Sequence, residues 1–486
     1  MKLKRISPLI PFLFLFVFFC LLIQQVLLHC HSYYDLGIYS DALRYLSLSN
    51  WNPFIPGRNI FIFNDHFDPI LIPMSYFSTW VPPPFLGMSL EFLSIAACWF
   101  PIQALIHRQK ISLDLGVFSY AFLILNQASV DALLTPFHPT TWAVFPLVCV
   151  FCFYILERYW AVLVFLIVLF ACREEFPLVG ITLGTLLIWD QFLKNKKGLD
   201  GKGVVILAVS FAWTFFAFGL RSKVFPGEHS QYGKVILEQF FSDPGDTILK
   251  YWSMGFLRMF LVRCVPIFLL LDYIKLRKEW GTIFRFLWIG SPILAIRFIS
   301  AQWAFHYGTA AVIVFYFMFF STLAKSTPSR LRLGFAYGVL AIGFFGPLAQ
   351  KFQLVFFDPP ISRETPKRCT TDKMRLKEIE KAQTWVALSG KKKILLENHL
   401  AVTQMLASRR LGAGDQSIFI VGGLSSAKVG PFDVVLVEKP SWGDPWPVGM
   451  VRLKELIEFW SHQPDLELIT DNEQVFLAVG KIEVDR

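Results

Sequence analysis

Charged residues are scarce in this 486-residue chain, at 17% of all residues, against about 25% in soluble globular proteins. Hydrophobic residues make up 55%, phenylalanine alone contributes 51 residues, and the mean hydropathy is +0.50. So much apolar surface excludes a soluble protein, because it needs lipid as part of its solvent. We therefore predict a multi-pass membrane protein.

Several local signals are also missing. No small-residue cleavage site ends the apolar stretch behind the basic N-terminus, so we predict an uncleaved anchor rather than a signal peptide. No Gly-rich phosphate loop is present. The absence of an internal repeat disfavours an inverted-repeat transporter.

Apolar runs long enough to cross a bilayer predict about eleven transmembrane helices. They lie near residues 7–28, 84–106, 114–134, 139–156, 159–173, 176–193, 203–220, 254–272, 282–300, 307–323 and 333–350. Charge rises and apolar runs shorten from about residue 358. The prediction is a transmembrane domain over residues 1–350 and a small α/β domain over residues 358–486.

The net charge of +10 sits mainly in short basic clusters between apolar runs, which is how orientation signals are arranged and excludes a nucleic-acid groove. Alternate connections carry these clusters, so we place them and the N-terminus in the cytoplasm. An odd number of spans then puts the C-terminal domain in the periplasm of a bacterial inner membrane. Two long outer loops, 29–83 and 221–253, lie on that same side.

Hydrophobic periodicity predicts the elements of the C-terminal domain. The strands are Ile394–Glu397, Ser417–Val421 and Asp433–Glu438, and a terminal hairpin pairs Leu466–Thr470 with Val475–Val479. The helices are Met374–Leu388, Val402–Ser408 and Leu453–His462.

Asp35 stands a few residues beyond the first apolar run and opens a predicted helix at the membrane surface. Two interpretations of Asp35 are open: a helix N-cap, or a carboxylate where a sugar acceptor and a lipid-bound donor meet. Asp41, on the same helix, is a candidate substrate contact, with a solvated helix residue as the alternative.

The first outer loop ends in Asp65-His66-Phe67-Asp68-Pro69. His66 and Asp65 are candidates to bind substrate phosphate or a divalent metal. A simple hydrogen bond between histidine and a carboxylate is the alternative. No cofactor is certain from the sequence, and a divalent metal is the one candidate.

Ionisable groups at membrane depth are costly and point to function. Arg173-Glu174-Glu175 falls between two apolar runs, either as an ion-paired turn or as a wall of a substrate cavity. His138 and Arg297 lie at other predicted outer ends, followed by His306 and Tyr307. Arginine suits lipid phosphate oxygens, while snorkelling to the headgroups is the alternative for Arg297.

These segments resemble a bacterial family of predicted multi-pass membrane proteins. The resemblance rests on Tyr34-Asp35-Leu36-Gly37-Ile38-Tyr39, the Asp65–Pro69 segment, Arg173-Glu174-Glu175 and His306-Tyr307. The family usually has Lys-Glu-Asp where this chain has Arg173-Glu174-Glu175, so the charge pattern survives but the role of each position does not. The family shares the architecture of the GT-C membrane glycosyltransferases, such as protein mannosyltransferases and aminoarabinose transferases.

The resemblance implies transfer of a sugar from a polyprenyl-phosphate donor to a glycan, lipid or protein acceptor at the outer face of the bilayer. Asp35 would then be the essential acidic residue of the first outer loop and act on the acceptor hydroxyl. Arg297, or a metal near His66, would offset charge on the departing phosphate. A flippase for lipid-linked intermediates and a non-catalytic envelope scaffold remain the alternatives.

Overall fold

The structure is a computed structural model. It describes residues 8–27, 36–47, 49–58, 60–109, 111–134, 137–193, 201–225, 241–242, 264–271, 278–300, 306–324, 331–342, 344, 373–397, 399–413, 416–421, 431–439 and 450–482. Asp35, most of the predicted loop 221–253 and much of the predicted helix 254–272 lie outside these residues.

Helices dominate the chain up to residue 342. Their bounds are α1 Leu9–Leu27, α2 Leu36–Tyr45, α3 Ile62–Asp65, α4 Leu71–Phe77, α5 Pro83–Ala96, α6 Trp99–Gln109, α7 Leu113–Leu125, α8 Gln127–Leu134, α9 Pro139–Trp142, α10 Val144–Ile155, α11 Tyr159–Cys172, α12 Pro177–Leu193, α13 Gly201–Thr214, α14 Arg221–Val224, α15 Trp280–Ser300, α16 His306–Ala324 and α17 Leu331–Ile342. A π-helical turn, Phe215–Leu220, joins α13 to α14, and a short antiparallel pair, β1 Phe54–Ile55 and β2 Ile60–Phe61, precedes α3.

Within the described ranges, two helical runs are long and apolar enough to cross a membrane, Pro83–Arg108 and Gly201–Val224. A third candidate span is present if the bent helix pair Leu113–Leu125 and Gln127–Leu133 is taken as one span. Shorter apolar helices occupy further predicted runs: Leu9–Gln24, Pro139–Ile155, Tyr159–Cys172, Pro177–Leu193, Gly308–Phe320 and Leu331–Ile342. Apolar helices are therefore confirmed, and the total of about eleven spans stays a prediction.

The chain divides into two compact units. The first comprises Met1–Phe19, Phe63–Pro73 and Met88–Pro347, and the second Cys20–Ile62, Met74–Gly87 and Leu348–Arg486. The predicted domain boundaries at residues 350 and 358 stay a prediction.

Helix α2 belongs to the second unit together with the C-terminal domain. The Tyr45 hydroxyl donates to the Gln416 carbonyl (3.0 Å), and the Arg409 guanidinium donates to the carbonyls of Ser78 (2.6 Å) and Thr79 (2.8 Å). The predicted α2 helix is confirmed, but Leu36 to Leu43 are all buried. Parts of the first predicted outer loop therefore pack on the C-terminal domain, and α2 has no open face.

Helices α12 and α13 approach closely because glycines stand at their contact. A Cβ on Gly184 would lie 2.9 Å from the Leu207 nitrogen and 3.0 Å from the Gly203 carbonyl. A Cβ on Gly203 would lie 3.0 Å from the Gly184 carbonyl. Small residues at such contacts let helix backbones pack directly in membranes.

A five-stranded sheet forms the core of the C-terminal domain, in the order β4-β3-β5-β7-β6. The central β3 pairs in parallel with β4 and β5, whereas β7 runs antiparallel to β5 and β6. The elements are α18 Lys373–Leu388, β3 Lys393–Leu396, α19 Leu400–Arg410, β4 Ser417–Ile420, β5 Phe432–Glu438, α20 Met450–Ser461, β6 Leu466–Asp471 and β7 Val475–Ile482. The predicted strands, helices and hairpin are confirmed to within a few residues.

One face of this sheet packs on α20. Leu453, Leu456 and Trp460 of the helix are buried against Val435 and Phe476 of the strands. Alternating apolar residues along β5 and β7 supply this face, as the period of a strand requires.

A buried ionic network ties α18 to the carboxyl end of β5. The Arg375 guanidinium donates to both carboxylate oxygens of Glu438 (2.5 and 3.0 Å), and His399 Nε2 lies 2.7 Å from Glu438 Oε2. Glu397 accepts the Glu438 backbone N–H (2.8 Å). Burial raises the pKa of Glu438, but its hydrogen bonds and ion pairs with His399 and Arg375 outweigh burial and lower it to about 2.

Substituting Gly184→Val should weaken the α12–α13 contact, because the new side chain meets backbone atoms that cannot turn away. Gly334→Ala is the control: nothing lies within 4 Å of its Cβ position, and alanine is favoured over glycine in helices by up to about 1 kcal/mol. Thermal unfolding of the purified full chain should show a lower midpoint for the valine variant alone. Equal midpoints would contradict the close packing.

Replacing Arg375 by methionine leaves Glu438 buried without its guanidinium, a loss that typically costs about 3–5 kcal/mol. Arg410→Met is matched, because Arg410 pairs with Glu380 in the same domain but both side chains are exposed; exposed pairs contribute about 0–1 kcal/mol. Hydrogen exchange in β3 and β5, read by mass spectrometry, should accelerate strongly only in Arg375→Met. Similar exchange in both variants would show that the network is not stabilising.

Candidate functional site

The candidate site lies in the first unit, where several chain turns meet. His66 follows α3, His138 precedes Pro139 at the first position of α9, and Arg173–Phe176 form the turn between α11 and α12. The Ile70 N–H donates to the Ala171 carbonyl (2.9 Å) and holds the His66 segment against the end of α11. Proline at a first helical position ends the preceding turn cleanly.

Arg173 is the centre of the site. Its Nη2 donates to His66 Nε2 (3.1 Å) and its Nη1 to His138 Nε2 (2.9 Å). The guanidinium is always a donor, so His66 Nε2 must be an unprotonated acceptor, and the hydrogen of the neutral His66 ring is on Nδ1, facing Glu174. Arg173 therefore fixes the tautomer of His66 and contacts a second histidine, His138.

Each histidine has a further partner at its Nδ1 atom. His66 Nδ1 lies 3.2 Å from Glu174 Oε1, and the other oxygen of Glu174 accepts the Phe67 N–H (3.0 Å). His138 Nδ1 accepts the Thr140 backbone N–H (3.2 Å) and lies 2.8 Å from the Thr140 hydroxyl. Glu174 thus orients His66 as a carboxylate orients an imidazole in general-base dyads.

Burial is uneven across the cluster. Arg173 and His138 are 5% and 2% exposed, whereas the side chains of His66 and Glu174 are 20% and 17% exposed. The accessible edge is therefore the His66–Glu174 pair, backed by a buried cation.

The charges of this pair shift each other's protonation. Burial and Arg173 lower the pKa of His66, but the hydrogen bond and charge of Glu174 and the charge of Asp65 outweigh them and raise it above 6.5. Burial raises the pKa of Glu174, but His66 and Arg173 hold it well below its ordinary range. A proton on His66 Nε2 would face the Arg173 N–H groups, so protonating His66 requires that contact to open.

A second ion pair continues the site through the same turn. Arg297 of α15, 2% exposed, donates through Nη2 to Glu175 Oε1. Consecutive residues of one turn, Glu174 and Glu175, thus contact His66 and Arg297. Arg173-Glu174-Glu175 therefore forms an ion-paired turn, and this is compatible with its interpretation as a wall of a substrate cavity.

The structure brings together six of the predicted site residues, directly or through the turn: His66, His138, Arg173, Glu174, Glu175 and Arg297. Asp65 is buried next to His66. Asp41 belongs to the second unit and is 1% exposed, so its interpretation as a solvated helix residue is wrong. Asp35 lies outside the described residues, and His306 and Tyr307 are the first residues of α16, with no side-chain positions described.

Sequence reasoning missed Glu91, which accepts the His138 backbone N–H (2.7 Å) and is 1% exposed. The sequence does mark Glu91 as a candidate, because a glutamate inside the apolar run 84–106 is as costly as any other charge at membrane depth. Thr140 was also missed, since a hydroxyl two residues after a histidine has no distinctive pattern.

A metal at His66 would need further ligands. Over the described ranges, no three His, Cys, Asp or Glu side chains come together to hold a metal ion. Both ring nitrogens of His66 contact Glu174 or Arg173, so a metal would have to displace one of them.

Residues 25–319 match the family model described as "Predicted membrane protein (DUF2079)". The chain belongs to the DUF2079 family. The match confirms the resemblance drawn from the Asp35, His66, Arg173 and His306 segments. No curated protein matches the chain by sequence.

Among solved structures, this DUF2079 chain is similar to the arabinofuranosyltransferase AftD from mycobacteria, with 12% identity and a TM-score of 0.42. The similarity covers 99% of this chain and 40% of that enzyme. The DUF2079 chain thus spans less than half the length of this neighbour.

Substituting Glu174→Gln in this DUF2079 protein should lower the pKa of His66. Glu174 is a main cause that raises it, whereas burial and Arg173 lower it. Modification of His66 by diethylpyrocarbonate, which attacks the neutral ring, should then extend to lower pH than in the natural chain.

Mass spectrometry of the His66 peptide across pH 5–8 measures this titration. Asp114→Asn is the control, because Asp114 lies in the first turn of α7, outside this cluster. An unchanged titration in Glu174→Gln would rule out control of His66 by Glu174.

Proposed function

We propose that the protein is a membrane glycosyltransferase that transfers a sugar from a polyprenyl-phosphate donor to an acceptor at the outer face of the membrane. The observation that supports it best is the buried Arg173, held between two imidazoles, with His66 and Glu174 at the accessible edge. Family membership supports a membrane protein, and the GT-C resemblance of its motifs supports the reaction class.

The acceptor hydroxyl oxygen attacks the anomeric carbon, and the bond from that carbon to the phosphate oxygen breaks. Asp35 takes the acceptor proton, and polyprenyl phosphate leaves with the bonding electron pair. This role of Asp35 rests on the resemblance, which implies an essential acidic residue in the first outer loop.

The Arg173 cluster suits the leaving group. Guanidinium groups bind phosphate oxygens through paired donors, and a phosphate oxygen that took Arg173 Nη2 would release His66 Nε2. His66, oriented by Glu174, could then accept or return a proton at the phosphate. Arg297, beside Glu175, is the second cation of this region. A fixed arrangement of cations stabilises charge that develops in the transition state.

Asp35→Asn should abolish transfer while the protein still folds. General-base catalysis contributes about 10²–10⁴-fold, so release of polyprenyl phosphate should fall by at least about 100-fold. The assay uses the full chain in nanodiscs with synthetic polyprenyl-phosphate-linked hexoses and pentoses, and reads free polyprenyl phosphate.

Asp114→Asn is the matched control, because it removes one carboxylate at the start of α7, on the predicted cytoplasmic side. The proposal predicts full activity for this variant. Release that survives in Asp35→Asn, or no donor-dependent release by the natural chain, would contradict it. Movement of intact donor across the bilayer by both proteins would instead favour the flippase alternative.

A further inference from the structure

A cavity of about 1100 Å³ lies in the first unit, at the other end of α11 from the candidate site. Arg158 and Tyr159 at the start of α11 line it, whereas Arg173 follows the last residue of this helix. We name it the Arg158 pocket. Its walls come from the end of α6, from the α10–α11 turn with the adjoining parts of both helices, and from the start of α13.

Basic side chains predominate in the polar lining of the Arg158 pocket. Arg108, Arg158 and Lys202 line it together with His107, and Glu157 is the one carboxylate among the described lining residues. Arg108 lies in the last turn of α6, Arg158 joins α10 to α11, and Lys202 is the second residue of α13. Three connections that the charge pattern places on one side of the membrane therefore surround one cavity.

Two helix N-termini add to this positive potential. Both α11 and α13 begin at the pocket, and neither has an acidic residue in its first turn. The N-cap of α11, Arg158, makes no side-chain capping bond. Helix N-termini attract anions through their free N–H groups and dipole.

The remaining wall is apolar. Phe153, Leu163, Val205 and Ile206 line it, and Trp160 beside them is 79% exposed. Tryptophan at the end of a membrane helix is typical of the headgroup level. A phosphate ion would use only the basic part of such a pocket, whereas a phospholipid would use both parts.

We propose that the Arg158 pocket binds an anionic glycerophospholipid of the leaflet on its own side of the membrane. The phosphate would contact Arg108, Arg158 and Lys202, and an acyl chain would lie along Phe153 and Val205. The site is separate from the Arg173 cluster, and the proposal does not depend on the proposed transfer reaction.

The test measures lipid bound to the purified full chain by native mass spectrometry, after incubation with equal amounts of phosphatidylglycerol and phosphatidylcholine. The natural protein should retain phosphatidylglycerol preferentially. An Arg108→Ala/Arg158→Ala variant should lose this preference by about fivefold for each cation removed, the usual contribution of a basic residue near an anionic headgroup.

Two controls separate charge from folding. Arg108→Lys/Arg158→Lys keeps both charges and should keep most of the preference. Lys223→Ala removes one charge at the opposite end of the helical run Gly201–Val224 and should change nothing. Equal retention of the two lipids by the natural chain, or an equal loss in Lys223→Ala, would overturn the proposal.

A third arm separates lipid from free phosphate. Inorganic phosphate lacks the apolar chain, so it should not displace phosphatidylglycerol at a concentration where that lipid itself competes. Displacement by inorganic phosphate at equal concentration would show that the apolar wall takes no part and would overturn the lipid assignment.

Discussion

The Arg173 guanidinium sets the arrangement of the polar residues around it in the first unit. A buried cation needs hydrogen-bond acceptors, because removing a charge from water costs several kcal/mol. His66 and His138 supply them, although they lie in different segments of the chain. Once His66 Nε2 accepts from Arg173, the tautomer of His66 follows, and its Nδ1 contacts Glu174. Displacing this one side chain would disturb two imidazoles at once.

The C-terminal domain meets the same constraint differently. Arg375 forms an ion pair with the carboxylate of Glu438, and both side chains are fully buried. That network is closed to solvent and serves to hold α18 against β5. The Arg173 cluster uses imidazoles as acceptors, and the side chains of its His66–Glu174 edge are partly exposed. Accessibility, more than the presence of buried charge, distinguishes a candidate site from a structural one.

Local patterns predicted the elements well and their long-range partners poorly. The helices of the first unit and the strands of the C-terminal domain follow from apolar runs and period-two alternation, which depend on neighbouring residues only. The site residues were found because charges in apolar runs are expensive. The contacts between them could not be predicted. No sequence pattern near Arg173 indicates that it contacts His66 and His138, and none near Glu175 indicates that it contacts Arg297. The proposed role of Asp35 depends on the resemblance of its sequence motif alone.

The burial of α2 escaped prediction for the same reason. Its apolar spacing resembles that of a helix with one face toward lipid, and its partners, Gln416 among them, lie hundreds of residues away. Asp41 became a buried residue through that packing. A short amphipathic pattern therefore could not distinguish a membrane surface from a protein surface.

Helix α11 is short for the transmembrane helix that the sequence predicts there. Its 14 residues reach about 21 Å at 1.5 Å per residue, whereas the hydrocarbon layer is about 30 Å thick. A predicted span of this length would be matched by local thinning of the bilayer or by snorkelling of a flanking side chain such as Arg158. A lipid phosphate drawn down in this way would meet arginine below the usual level of the membrane surface.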